Sequence, residues 1–219
     1  MSPPAPPALL LLPPPPADAG SRRVLIAARF AGPPPPALRV VRSGAGPALR
    51  TPQGALLRGP GPAALFLSPP ALLGGSGPAP RALVRQWVSF AEREIAPAAT
   101  IAAGGSAQAR ARAHQELLRA LRALDSHLRD RTFLVGDGVT LADVTVTCAL
   151  LGPCQRVLDA ATVATVPSVS RWFKTCVRLP QFREVLGDVG LCGDEASAPQ
   201  RECHGVGVGL GGNWAGDAT

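Results

Sequence analysis

The chain has 219 residues, 22 basic and 15 acidic, for a net charge of +7, and 20 of its 25 prolines fall in the first 80 positions. That gradient predicts two halves built on different plans: a degenerate Pro-rich domain over residues 1–80, an all-helical domain over 81–192 and a Gly-rich disordered tail over 193–219. With 46% hydrophobic residues, 4% aromatics and no tyrosine, the core must rest on Leu, Val and Ala; a mechanism needing a tyrosine hydroxyl is excluded, and so is a complete multidomain synthetase, polymerase or motor.

Taken in chain order, Ala8–Leu12 is a short apolar run closed by Pro13–Pro16, the length and punctuation of a buried strand. Ser21 precedes a mixed run, Arg22–Phe30, that suits one short helix with Ser21 as its cap. Beyond the Gly32–Pro36 breaker, Leu38–Val41 reads as a second strand. After an irregular segment, Ala55–Arg58 and Ala63–Leu67, separated by a Gly-Pro turn, read as a hairpin-like pair. So much proline leaves low-complexity coil as the alternative for this whole half.

From Arg81 the period changes. Leu83, Val84, Trp87, Val88, Ala91 and Ile95 recur at helical spacing up to Pro97, and after Gly104-Gly105 the residues Leu117, Leu121, Leu124 and Leu128 make a stripe too short for a free-standing coiled coil, hence a core face. In the segment F-L-V-G-D-G-V-T-L-A-D-V, Thr140 and Asp143 form a capping box and Val139 with Val144 a hydrophobic staple, which together mark a buried helix start. That helix is expected to be disturbed at Gly152-Pro153. A further helix from Pro167-Ser168 carries Val169, Trp172, Phe173, Cys176 and Val177 on one face, and a last short one spans Gln181–Leu186.

The basic excess lies at the front: seven Arg against Asp18 in residues 1–80, fourteen basic against ten acidic residues in 81–192, and one Arg against four acids from Gly193. Arginines suit phosphate or carboxylate partners, but there is no basic block and no aromatic-interleaved stacking surface, so an ordinary solubilising surface is the first expectation. Five cysteines without a CxxC pair suggest neither a disulfide framework nor a zinc site. His114 and His127 read as solvated helix residues, Cys203-His204 has no further ligands, and Cys148, Cys154 and Cys176 read as small buried hydrophobes. The N-terminus has no positively charged n-region, and no apolar run approaches the roughly 20 residues that span a bilayer, so a soluble cytoplasmic protein is expected.

A strand-helix-strand-hairpin unit followed by helices, the inner one opening with T-L-A-D after F-L-V-G-D-G, resembles the glutathione S-transferase family. The segments V-L-I-A-A-R-F (24–30), Q-W-V-S-F-A-E (86–92), C-A-L-L-G-P (148–153), R-V-L-D (156–159) and S-R-W-F-K-T-C-V-R-L-P-Q-F-R-E-V-L-G-D-V (170–189) are similar to the transferase-like appendage of animal valyl-tRNA synthetases. The resemblance implies an α+β, two-domain glutathione S-transferase-like fold, with a degenerate thioredoxin-like N-terminal unit and an all-α unit. The tail from Gly193 fits neither pattern, which suggests a truncated product, an alternative isoform or a gene model read past an exon boundary.

An active transferase of that family carries a Tyr, Ser or Cys after its first strand to activate the glutathione sulfur. Here Ser21 is the sole candidate, and a helix cap is its plainer role. The resemblance puts Thr51-Pro52 where the family has a proline that presents backbone to glutathione. Ser68 stands for the serine that holds the γ-glutamyl carboxylate, with Leu67 where an acid or amide is expected. Pro52 and Ser68 are therefore candidates for a vestigial glutathione groove, and no catalytic residue, cofactor or metal ligand is assigned. The chain also lacks the H-x-G-H and K-M-S-K-S segments of an aminoacylating core, so whether it belongs to an enzyme turns on a parent valine–tRNA ligase lying outside it.

By resemblance, the leading expectation is a non-catalytic docking domain of the translation machinery that joins elongation factor 1 subunits (beta, gamma or delta) or another transferase-like domain. Arg171 and Arg178, seven apart beside Trp172, are the candidate interface; packing of Trp172 and Phe173 in the core is the alternative. A working glutathione-binding transferase-like enzyme and a weak tRNA-binding module are the other two possibilities.

Overall fold

The computed structural model describes residues 8–12, 18–32, 38–42 and 47–190. They divide into two compact units between Leu67 and Ser68. The predicted disordered tail, Cys192, Cys203 and His204 lie outside the described residues.

In the first unit the elements run β1 (Ala8–Leu12), α1 (Ala19–Phe30), β2 (Leu38–Arg42), β3 (Ala48–Arg50), β4 (Leu56–Arg58) and α2 (Pro60–Leu67). The sheet order is β2-β1-β3-β4. β1 pairs in parallel with β2 and antiparallel with β3, Leu10 lying opposite Val40 on one side and Leu49 on the other. A parallel pair needs a crossover, and α1 supplies it. This is the expected thioredoxin-like unit.

Two expectations for this half are corrected. The cap of α1 is Asp18, whose carboxylate accepts the Ser21 N–H at 2.6 Å, so Ser21 sits inside the first turn. The hairpin joins β3 to β4, and residues 63–67 are helical. A five-residue apolar run fits a buried strand and a buried helix equally well, and its flanks decide between them. Gly59, at φ +88°, turns the chain out of β4. Pro60 then takes the first helical position, where a missing N–H costs nothing. Ala63 and Ala64 are buried, and α2 packs on α1. The fit leaves no room at Gly20, where a Cβ would stand 2.8 Å from the Pro60 ring.

The second unit comprises α3 (Pro78–Phe90), a π-helical turn (Ala91–Ile95), α4 (Ala96–Gly104), α5 (Ala107–Leu128), α6 (Leu141–Arg156), α7 (Ala160–Ala164), α8 (Pro167–Arg178) and α9 (Pro180–Leu186). All four stripe leucines of α5 are buried, as the periodicity predicts. α6 is buried on every face from Leu141 to Cys148, which makes it the central helix, and it runs through Gly152-Pro153 to Arg156 without a break.

Pro97 does not end the helix that precedes it. In an unbroken α-helix its ring would clash with the carbonyl four residues back. The π turn lets the Ala96 N–H bond the Ala91 carbonyl, and Pro97 falls in the first turn of α4, where it needs no donor. The segment before α3 belongs with this unit: Leu72 is buried, and its carbonyl accepts the Leu141 N–H at 2.7 Å at the start of α6.

Candidate functional site

The glutathione candidates fall at three places in the chain: Ser21 in the first turn of α1, Pro52 between β3 and β4, and Ser68 just after α2. Ser21 is fully buried and its hydroxyl has no hydrogen-bond partner. The carboxylate of Asp18 already occupies the positive end of α1, so a thiolate there would meet a like charge instead of a free helix N-terminus.

Thr51 and Pro52 lie in the turn between β3 and β4. The Thr51 N–H donates to the Ala55 carbonyl at 2.8 Å, and the Ala55 N–H donates to the Thr51 hydroxyl at 3.2 Å. Pro47, not Pro52, leads into β3, and its carbonyl accepts the Gly59 N–H at 2.9 Å.

Ser68 follows the C-terminal end of α2, the negative end of the helix dipole, where a carboxylate is repelled. At the opposite end, Pro60 and Pro62 have no N–H and the Ala63 N–H is directed at the Gly59 carbonyl. Only Gly61 is left to offer a backbone donor in the turn that would otherwise hold an anion.

The densest polar node is Asp143, itself fully buried. One carboxylate oxygen accepts the Leu134 N–H at 2.9 Å and the Trp172 indole N–H at 2.8 Å. The other accepts the Thr140 N–H and hydroxyl, both at 2.9 Å. Burial pushes the Asp143 carboxyl above its ordinary pKa, against the opposing pull of those donors. Four donors from three residues converge on a carboxylate with no access to solvent. Such a group fixes architecture and offers nothing to a substrate.

The interface candidates are therefore separated. Trp172 is 1% exposed and donates to Asp143, so it belongs to the core, as does Phe173. Arg171 is spent locally: its guanidinium donates to the carbonyls of Leu128 and Arg131 at 2.7 and 2.9 Å, closing the C-terminal end of α5. Arg178 is exposed in the last turn of α8.

Sequence reasoning missed the converse contact. Asp125 of α5 accepts the N–H groups of Ser168 and Val169 at 2.7 and 3.1 Å, capping α8. Its one visible signal is that α8 has no capping side chain of its own.

His127 is not simply solvated. Its ring lies 4.5 Å from that of Trp87, and Nε2 is 2.8 Å from the Leu134 carbonyl. Cys148 and Cys176 are buried as expected and Cys154 is half-buried. Burial first, then the charge of Asp143, pushes the Cys176 thiol well up. Among the described residues no three His, Cys, Asp or Glu side chains group to hold a metal, and no helix is long and apolar enough to cross a membrane.

A cleft of about 540 Å³ lies between the α3–α4 segment and α5, lined by Phe90, Arg93, Glu94, Arg112, Glu116 and Arg119. Arg112 and Glu116 pair with each other at 3.3 Å. It is a charged surface groove whose lining holds no hydroxyl, thiol or amine side chain.

A thioredoxin-like unit followed by an all-helical unit whose inner helix opens on a buried capping aspartate defines the fold of the glutathione S-transferases. Residues 85–180 match the model of the glutathione S-transferase C-terminal domain. The elongation factor 1-gamma of Carassius auratus is 48% identical over 134 residues, 58% of this chain and 30% of that protein. That of Equus caballus is 46% identical over 127 residues, 55% of this chain and 29% of that protein. The chain thus spans less than a third of the length of these relatives.

Among solved structures, poplar glutathione transferase F1 superposes with a TM-score of 0.70 at 15% identity, over 82% of this chain and 96% of that one. Gtt2 of Saccharomyces cerevisiae gives 0.65 at 18%, over 81% and 100%. At such identities the likeness defines the fold and leaves activity to the site.

Proposed function

We propose that this chain is a non-catalytic docking domain of the translation machinery, which assembles with elongation factor 1 subunits or with another transferase-like domain. The observation that carries this is the 46–48% identity to elongation factor 1-gamma on a scaffold whose one candidate nucleophile, Ser21, is sealed from solvent. Transferase-like units present helical faces large enough for a standard interface without any chemical site. Arg178 remains the partner-facing charge; Arg171 and Trp172 support the helix that carries it. A cytoplasmic location goes with this role.

The test is retention of purified elongation factor 1 beta, gamma and delta subunits on the immobilised chain at micromolar concentration. Retention of one of them, weakened by Arg178→Glu, is expected; loss of all three would refute docking to elongation factor 1.

The segments 86–92 and 170–189 favour a finer reading, the appendage of a valine–tRNA ligase. A transcript that continues in frame from this region into H-x-G-H and K-M-S-K-S would establish it, and one that continues into an elongation factor 1-gamma sequence would replace it. A tRNA role has less support, because Arg23 of the basic half is buried and unavailable to phosphate.

A further inference from the structure

Only Gly105 and Ser106 join α4 to α5, so the α3–α4 segment and α5 form a helical hairpin, and the cleft of about 540 Å³ lies along its seam. Small-molecule sites of that volume are mostly apolar, whereas five of the nine residues lining this one are charged. One wall presents Phe90, Arg93, Glu94 and Pro97, at helical offsets of three, four and seven. The π turn keeps that wall helical past Pro97. The other wall presents Arg112, Glu116, Arg119 and Ala123, at offsets of four, seven and eleven along α5. Each wall is therefore a single stripe of its helix. Arg112 and Glu116 pair with each other. Arg93, Glu94 and Arg119 are exposed and make no hydrogen bond or ion pair among the described residues.

Two facing helical stripes with alanine between them are the geometry by which a helix pair receives a third helix, since a small side chain lets its backbone come close. The charges then select the occupant. A nucleic-acid strand is negative at every step and would meet Glu94 as well as the arginines. A helix can set an acid against each arginine and a base against Glu94. Two free positive charges against one free negative make an acidic helix the better fit, and the net charge of +7 speeds its encounter. We infer that this groove receives an amphipathic helix of an acidic protein partner, its apolar side chains on Phe90, Pro97 and Ala123 and its carboxylates on Arg93 and Arg119. The inference rests on the docking reading for the kind of partner, and on the groove alone for the surface.

Fluorescence anisotropy of the full chain with a labelled, designed helical peptide tests it, the peptide having a Leu/Ala face flanked by glutamates and a twin with lysine at every glutamate. The acidic peptide is expected to saturate with a dissociation constant between about 10 μM and 1 mM, and its lysine twin to bind at least roughly tenfold more weakly. Arg119→Glu should weaken the acidic peptide roughly three- to tenfold and strengthen the twin. Ala123→Trp, at an exposed lining position, should fill the groove and abolish binding while the helical circular dichroism is retained. Arg85→Glu, which makes the same charge change at an exposed position of α3 outside the groove, should leave the affinity within about twofold. Equal weakening by Arg85→Glu and Arg119→Glu would mean attraction to net charge alone and overturns the inference. So does tighter binding of an oligouridylate than of the acidic peptide, or self-association of the chain that Arg119→Glu abolishes while the peptide fails to bind. Retention of elongation factor 1 subunits is read separately, so failure of the groove and failure of that docking are distinguishable.

Discussion

The indole Nε1–H of Trp172 donates to the carboxylate of Asp143 at 2.8 Å, with both residues cut off from solvent. This bond joins the middle of α8 to the first turn of α6, so the capping box that starts the central helix is completed from 29 residues away. Trp172→Phe keeps most of the packing and removes this donor. It is expected to cost about 2 kcal/mol in urea unfolding. A change below about 0.5 kcal/mol would mean that the bond is not formed in solution.

Asp143→Asn tests the same node from the acceptor side. An amide accepts through one oxygen and would turn its NH₂ toward two donors, so about 3 kcal/mol should be lost. The pH dependence has a definite sign. Burial raises the folded-state pKa above the ordinary value of 3.8, so the folded chain holds this proton more tightly than the unfolded chain. The contribution of the group to stability is fully present below the unfolded pKa and is lost as pH rises through the folded one. Wild type should therefore exceed Asp143→Asn by most in acid, and the gap should narrow toward neutral pH in paired denaturation curves.

Asp125 and Arg171 exchange caps between α5 and α8, each closing the end of the other's helix. Arg171→Ala should lower the melting temperature, with about 1 kcal/mol lost. Arg178→Ala, which removes an exposed charge, should leave it unchanged within about 0.5 kcal/mol. Thermal unfolding of the two variants side by side separates the supporting arginine from the free one.

Ser21→Ala removes a buried hydroxyl that makes no hydrogen bond. Its stability should stay level or rise by up to about 1 kcal/mol. Neither protein should be retained on immobilised glutathione or conjugate a chromogenic electrophile. Saturable turnover abolished by this substitution would overturn the non-catalytic assignment.

Among the three described cysteines, Cys154 should alkylate first under native conditions, with Cys148 and Cys176 reacting only on unfolding. The last two are buried, and the Cys176 thiol is held far into its protonated form. Peptide mapping by mass spectrometry after a short pulse of iodoacetamide checks the order.

Local chemistry in the sequence was enough to determine the α5 leucine stripe, the Thr140–Asp143 box and the start of α8, because helical period and capping act over three or four residues. It also shows that the chain has no tyrosine to serve as a nucleophile. Whether residues 63–67 form a strand or a helix, where α1 begins and how Pro97 is accommodated depended on small energies that neighbouring packing overrides. The roles of Trp172, Asp125 and Arg171 rest on contacts that only the tertiary structure decided. Each joins residues far apart in the chain, and no local pattern records which donor will meet which acceptor once the helices pack.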